Sequence, residues 1–204
     1  MNILDANDVR PVFSPAVYSS TVVEPGVAGT TVTTVTATDS DDAILTYSLA
    51  TATVFSIDSG GVITLANSNT LDYETTKQYA LVAYAADAAG NSATTTVHIR
   101  VTGVNEHTPV FAPASRSVTI DENASLGTLV VDADATDQDH GADGTLTYTL
   151  TSVPAGFTNL MAINPATGEM TVAGDIDRES MATSPVIFII GVTDSGTAPG
   201  NSVI

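Results

Sequence analysis

The chain has 204 residues, with 23 acidic against 5 basic side chains, a formal net charge of −18 and no cysteine. Such an acidic balance excludes nucleic acid and anionic membrane as partners, because both need basic surface. Without disulfides, small domains of this chain must be held by their cores or by metal. The predicted elements, in chain order, are strands. Val17–Val35 is rich in Val and Thr with Pro and Gly breaks, a strand-and-turn texture. Leu45, Tyr47 and Leu49 alternate with Thr46 and Ser48, the period of a half-buried strand. Gly60-Gly61 signals a turn before Val62–Leu65. Tyr79, Leu81, Ala83 and Ala85 alternate up to Asp87, and Val97, Ile99 and Val101 share one face opposite Thr96, His98 and Arg100.

The second half repeats the plan. Val118 and Ile120 lead to Asp121-Glu122-Asn123, and Leu129, Val131, Ala133 and Ala135 alternate with Val130, Asp132, Asp134 and Thr136. Leu146, Tyr148 and Leu150 form another alternating run, Asn164–Gly168 is a turn, and Phe188, Ile190 and Val192 lead to Asp194. No stretch carries helical periodicity, so the fold is read as all-β.

Asp5–Phe13 (DANDVRPVF) and Gly103–Phe111 (GVNEHTPVF) are near copies. Asn7/Asn105, Pro11/Pro109 and Phe13/Phe111 each stand 98 apart, since 105 − 7 = 109 − 11 = 111 − 13 = 98. Self-similarity at that spacing indicates tandem modules of about a hundred residues, the size of an immunoglobulin-like sandwich. The sequence therefore divides into a first module over 8–104, a linker over 103–109 and a second module over 105–204. The second module's last strand is read as short, frayed or missing, leaving a sheet edge exposed. Met1 opens directly on a joint-like motif, which reads as an excerpt of something longer.

The acids keep matched places. They occur as D-x-D (Asp39/Asp41, Asp137/Asp139) and D-x-E (Asp72/Glu74, Asp177/Glu179). Single acids end a strand (Asp87, Asp194) or precede a turn (Glu24, Glu122). The offset grows from 137 − 39 = 98 to 177 − 72 = 105 and 194 − 87 = 107, so loops such as His140–Thr145 change length while the acids stay aligned. Acids two apart in an extended segment project to one side, where one ion can take both. Six to eight flexible oxygen ligands is the habit of calcium, and a Cys-free set rich in Asp, Glu, Asn and Gly suits it better than zinc. His98, His107 and His140 lack zinc-ligand spacing. No Ser-His-Asp order, P-loop or nucleotide fingerprint is present, and no cleft accompanies Asp72/Glu74 to make a glycosidase pair, so an enzyme is not expected. Asn123-Ala124-Ser125 is an N-glycosylation sequon, meaningful in a eukaryotic secretory pathway.

The ordered set resembles two tandem cadherin repeats. Ala37-Thr38-Asp39-Ser40-Asp41 and Ala135-Thr136-Asp137-Gln138-Asp139 are similar to the family's A-T-D-x-D. Leu71-Asp72-Tyr73-Glu74 and Ile176-Asp177-Arg178-Glu179 are similar to its L-D-R-E, and DANDVRPVF to its joint. The resemblance implies Ig-like Greek-key β-sandwiches stacked end to end, extracellular or at a cell surface, with up to three calcium ions at the joint. Carried over, Glu24, Asp72 and Glu74 come from the first repeat. Val104 (carbonyl), Asn105, Glu106 and His107 (carbonyl) come from the linker. Asp137, Asp139, Asp194 and the Asp143 carbonyl come from the second repeat. Gly103 stands where the family's linker has its first Asp, so the middle ion is expected to be the weakest or absent. Asn7, Asp39, Asp41 and Asp87 form a second, partial set able to cap one further ion, and Glu122, Asp177 and Glu179 a third. The implied function is a calcium-rigidified adhesive or spacer segment, with neighbouring repeats and a homophilic protein as partners. The runner-up is carbohydrate binding to a polysaccharide by a secreted microbial protein, although aromatics make up only 5% of the chain. Strand exchange anchored by an N-terminal Trp is excluded, since the chain has none.

Overall fold

The computed structural model describes residues 6–41, 45–51, 54–181 and 186–196, and the backbone of 201–203. Asp5, Asp42 and Ile204, which belong to motifs read from the sequence, lie outside the described residues. The chain divides into two compact units, Met1–Gly103 and Val104–Ile204.

The first unit contains β1 (Val12–Phe13), β2 (Val17–Val23), β3 (Thr31–Thr34), β4 (Ala37–Thr38), β5 (Thr46–Leu49), β6 (Phe55–Ile57), β7 (Val62–Leu65), β8 (Gln78–Ala86) and β9 (Ser92–Thr102). A four-stranded sheet of order β2-β9-β8-β5 faces a three-stranded sheet of order β3-β7-β6, and β1 pairs with β4. β2 runs parallel to β9, and the other pairs are antiparallel. Alternation in β8 and β9 sends Leu81, Ala83, Ala85, Val97, Ile99 and Val101 inward, as their period requires, onto Phe55, Ile63 and Leu65 of the facing sheet. Phe55 meets the edge of Tyr79, ring centroids 5.1 Å apart at 78°.

The second unit contains β10 (Val110–Phe111), β11 (Leu129–Asp132), β12 (Ala135–Thr136), β13 (Thr147–Val153), β14 (Met161–Ile163), β15 (Glu169–Val172), β16 (Ile187–Thr193) and β17 (Asn201–Val203). Its sheets are β11-β15-β14 and β13-β16-β17, with β10 paired to β12. Phe111, Tyr148, Met161, Met170, Val172, Ile190 and Val192 fill the space between them. Two features depart from simple repetition. The stretch through Val118 and Ile120, counterpart of β2, forms no strand. In the first unit β2 is paired along its whole length by β9, whereas β17 pairs only with Gly191–Thr193. In addition, Leu129 is exposed rather than inward with Val131, because a register shift between them breaks the alternation.

Candidate metal centre

In each unit the D-x-D pair leaves the sheet immediately after a two-residue strand, and a tyrosine fixes that exit. The Tyr47 hydroxyl accepts the Ala37 N–H at 2.9 Å, and the Tyr148 hydroxyl accepts the Ala135 N–H at 3.3 Å. Each tyrosine is steadied by a phenylalanine from the joint motif. The Phe13–Tyr47 and Phe111–Tyr148 rings both lie 6.3 Å apart at 59°. Thus the Pro-x-Phe of the joint and the L-x-Y-x-L strand place the acids, a role that sequence reading missed although the matched L-T-Y runs carry the signal.

The carboxylates then divide their oxygens in a consistent way. Asp137 Oδ1 accepts the Asp139 N–H at 2.8 Å, and Asp39 Oδ1 accepts the Asp41 N–H at 3.1 Å. Asp139 Oδ2 accepts the His107 N–H at 3.1 Å, and Asp41 Oδ2 accepts the N–H groups of Asp8 and Val9 at 2.9 and 3.0 Å. Asp194 Oδ1 accepts from Gly196 N–H at 2.9 Å and from Asn105 Nδ2 at 2.8 Å. In every case the other oxygen is buried without a hydrogen-bond donor: Asp39 Oδ2, Asp41 Oδ1, Asp137 Oδ2, Asp139 Oδ1, Asp194 Oδ2 and, for the amide, Asn105 Oδ1. A buried anion with an unsatisfied lone pair is costly. Repeated on five carboxylates and one amide, the pattern leaves oxygens that could serve a hard cation, and the donor set fits calcium.

The second unit collects Asn105, Asp137, Asp139 and Asp194 in this way, with Asp139 and Asp194 buried. Val104 and His107 are half-buried and Glu106 is exposed, while Asp143 is half-buried in the turn before β13. Gly196 is required for this arrangement by close approach. A Cβ there would fall 1.5 Å from Asn105 Nδ2 and 2.4 Å from its Cγ. Gly196→Ala is therefore expected to unseat Asn105, lowering the stability of the second unit by about 1–3 kcal/mol and weakening its calcium response. Thermal unfolding in EGTA and in calcium measures both, and unchanged curves would show that Asn105 is not held there.

The first unit carries two sets. Asn7, Asp39, Asp41 and Asp87 lie around the D-x-D exit, where Asn91 Nδ2 donates to the Asn7 carbonyl at 3.3 Å and to Asp87 Oδ2 at 2.8 Å. Asp87 Oδ1 also accepts the Asn91 N–H at 2.7 Å, so both Asp87 oxygens are engaged, unlike those of Asp194. The Asp41 carboxyl is held below the usual carboxylate range, first by its interaction with the neighbouring Asp39 and then by the Val9 N–H. It stays ionised at neutral pH, and its contribution is lost only as pH falls through that lowered value.

The other set joins Glu24 to the D-x-E segment. Glu24, 3% exposed, accepts the Tyr73 N–H, and carboxylate oxygens of Glu24 and Glu74 lie within 4.8 Å. Asp72 is capped by Thr75, through N–H at 2.9 Å and Oγ1 at 2.8 Å. A Cβ on Gly103 would sit 3.0 Å from Tyr73 Cδ1 and 3.5 Å from Glu24 Oε1. A side chain there requires the Tyr73 ring to give by a few tenths of an ångström, which is a steric constraint favouring the glycine. In the second unit, Glu122, Asp177 and Glu179 also bring carboxylate oxygens within 4.8 Å of one another, all three residues being exposed.

Paired sheets capped by half-bonded carboxylates define a tandem, acid-capped β-sandwich protein. The cadherin domain profile matches residues 18–102 and 116–204, and the chain belongs to the cadherin domain family. It is 38% identical over 206 residues to the protocadherin-like wing polarity protein stan of Drosophila melanogaster, covering 96% of this chain and 6% of that protein. It is 35% identical over 189 residues to the cadherin EGF LAG seven-pass G-type receptor 1 of Mus musculus, covering 89% of this chain and 6% of the receptor. The chain thus spans only about 6% of the length of these relatives, which bear cadherin and receptor names rather than enzyme names. Repeats EC22–24 of mouse cadherin-23 share its fold with a TM-score of 0.81 at 30% identity, covering 98% of this chain and 64% of theirs. Repeats EC3–6 of protocadherin gammaB7 give a TM-score of 0.86 over 100% of this chain and 51% of theirs. At 23% identity that likeness concerns fold alone. Among the described residues, no helix is long and apolar enough to cross a membrane.

Proposed function

We propose that this chain is an extracellular adhesive or spacer segment in which calcium joins successive cadherin repeats. The observation that carries the reading is the buried carboxylate whose one oxygen is anchored on backbone N–H while the other lacks a donor, found at matched places in both units. The ligands would be Glu24, Asp72 and Glu74 from the first unit, the Val104 and His107 carbonyls with Asn105 and Glu106 from the linker, and Asp137, Asp139, Asp194 and the Asp143 carbonyl from the second. The carboxylates among them number seven, so up to three calcium ions nearly neutralise them. The ion served by position 103 binds weakest, since Gly103 offers no carboxylate.

Asn7, Asp39, Asp41 and Asp87 would hold a further ion, and Glu122, Asp177 and Glu179 would serve a following linker. Affinities of extracellular calcium modules fall at about 10⁻⁴–10⁻³ M, so extracellular calcium would set how rigid the chain is. Partners consistent with the family are neighbouring repeats and a second copy; the gammaB7 repeats are described as a cis-dimer.

Small-angle scattering of the chain in EGTA and in millimolar calcium tests this reading. The expected result is a broad distribution of lengths in EGTA that narrows to one extended form in calcium. Identical profiles and identical stability in the two buffers would reduce the acids to solvation.

A further inference from the structure

The two units share a backbone device at the loop preceding β3 and β11, and their side chains there differ in a directed way. Gly29 N–H donates to the Leu65 carbonyl at 2.8 Å, and Gly127 N–H donates to the Val172 carbonyl at the same distance. At positions 98 apart around that glycine, Pro25, Val27 (66% exposed), Ala28 and Thr31 of the first unit give way to Asn123, Ser125, Leu126 and Leu129 of the second. Two of these changes add apolar bulk to an exposed surface, Leu126 being 72% and Leu129 56% exposed. Leu129 also begins β11, an edge strand of its sheet, where β3 presents threonines. An apolar, unpaired edge is a site of unwanted association.

The other two changes complete Asn123-Ala124-Ser125, and none of the chain's other asparagines stands in an N-x-S/T sequence. Ala124 packs against the core, and its N–H donates to the Asp121 carbonyl at 3.0 Å, closing a turn that leaves Asn123 and Ser125 exposed. The acceptor amide and the hydroxyl that a glycosyltransferase must reach therefore both face solvent on a pinned turn.

We propose that Asn123 is N-glycosylated and that the glycan shields Leu126 and the β11 edge from self-association. The transfer bonds the Asn123 side-chain nitrogen to C1 of the first sugar and breaks that carbon's bond to the diphosphate of a lipid-linked oligosaccharide. The nitrogen loses a proton and the lipid diphosphate departs. The proposal rests on the extracellular reading of the chain, reached through a eukaryotic secretory pathway, but not on calcium.

The test is expression of the full chain behind a secretory leader in animal cells, with intact mass read on secreted and cell-retained protein. The expected result is an added glycan mass on most molecules. Peptide-N-glycosidase removes it with conversion of Asn123 to Asp, and it is absent from N123Q and S125A. Unmodified wild-type chain in both fractions overturns the proposal, whatever its calcium response in the scattering experiment. For the shielding role, sedimentation velocity compares the glycosylated chain with N123Q and with N123Q/L126A/L129T. Association in N123Q alone is expected; equal monodispersity of all three overturns shielding and leaves occupancy decided by mass.

Discussion

Asp194→Asn raises the thermal midpoint of the second unit in EGTA and abolishes most of its rise in calcium. The crossing of signs follows from how the carboxylate is held. Its Oδ1 accepts from Gly196 N–H and Asn105 Nδ2, contacts that an asparagine oxygen in the same place retains. Its Oδ2 is buried without a donor, beside Asn105, in the set completed by Asp137 and Asp139. Without metal, that charge contributes repulsion and an unmet desolvation cost of about 1–3 kcal/mol, which the neutral amide relieves. With metal, the same oxygen is a ligand, and the wild-type chain gains RT ln(1 + [Ca²⁺]/Kd), about 2.7 kcal/mol at a hundredfold excess over Kd. For a unit near a hundred residues this corresponds to a rise of roughly 10–20 °C at 4–8 °C per kcal/mol. Differential scanning calorimetry in both buffers reads the two effects together. A variant destabilised equally in EGTA and in calcium would make Asp194 a structural acid rather than a ligand.

The sequence carried the all-β tandem fold, whereas the grouping of acids it suggested enters only as part of the proposal. The pairing of acids was suggested by D-x-D and D-x-E spacing and by the order that loop insertions left intact, although Asp72–Glu74 and Asp177–Glu179 lie at turns rather than in extended backbone. How each acid is held was not legible. That depends on backbone N–H groups brought from elsewhere in each unit: Val9 to Asp41, His107 to Asp139 and Tyr73 to Glu24. The engagement of both Asp87 oxygens by Asn91 was equally hidden, since an Asn four residues after a strand-ending Asp reads only as part of a turn.

In the fold, β8 and β9 followed their alternation because long paired strands buried on one face cannot slip by a residue. Leu129 did not follow its alternation. A bulge is a local exception that period-2 counting cannot register, and the resulting exposure gives the neighbouring sequon its significance.

Phe55→Ala separates the two units energetically. Phe55 is 2% exposed and contacts Tyr79 edge to face within the first unit's core. Truncation of such a side chain costs about 3–5 kcal/mol, a large share of the 5–15 kcal/mol expected for a whole domain. Tandem modules with separate cores unfold as separate transitions in the absence of a shared ligand. In EGTA the substitution is therefore expected to move only the first unit's transition, leaving the second at its wild-type midpoint. In calcium the outcome differs if the ions are shared as proposed. Early unfolding of the first unit withdraws Glu24, Asp72 and Glu74 from the ligand set, so the second unit loses part of its calcium-dependent gain and its midpoint falls as well. A second-unit midpoint that stays fixed in both buffers would mean that each unit binds calcium, if at all, with its own residues alone. That result would leave the cap of Asn105, Asp137, Asp139 and Asp194 intact as a site while removing the junction.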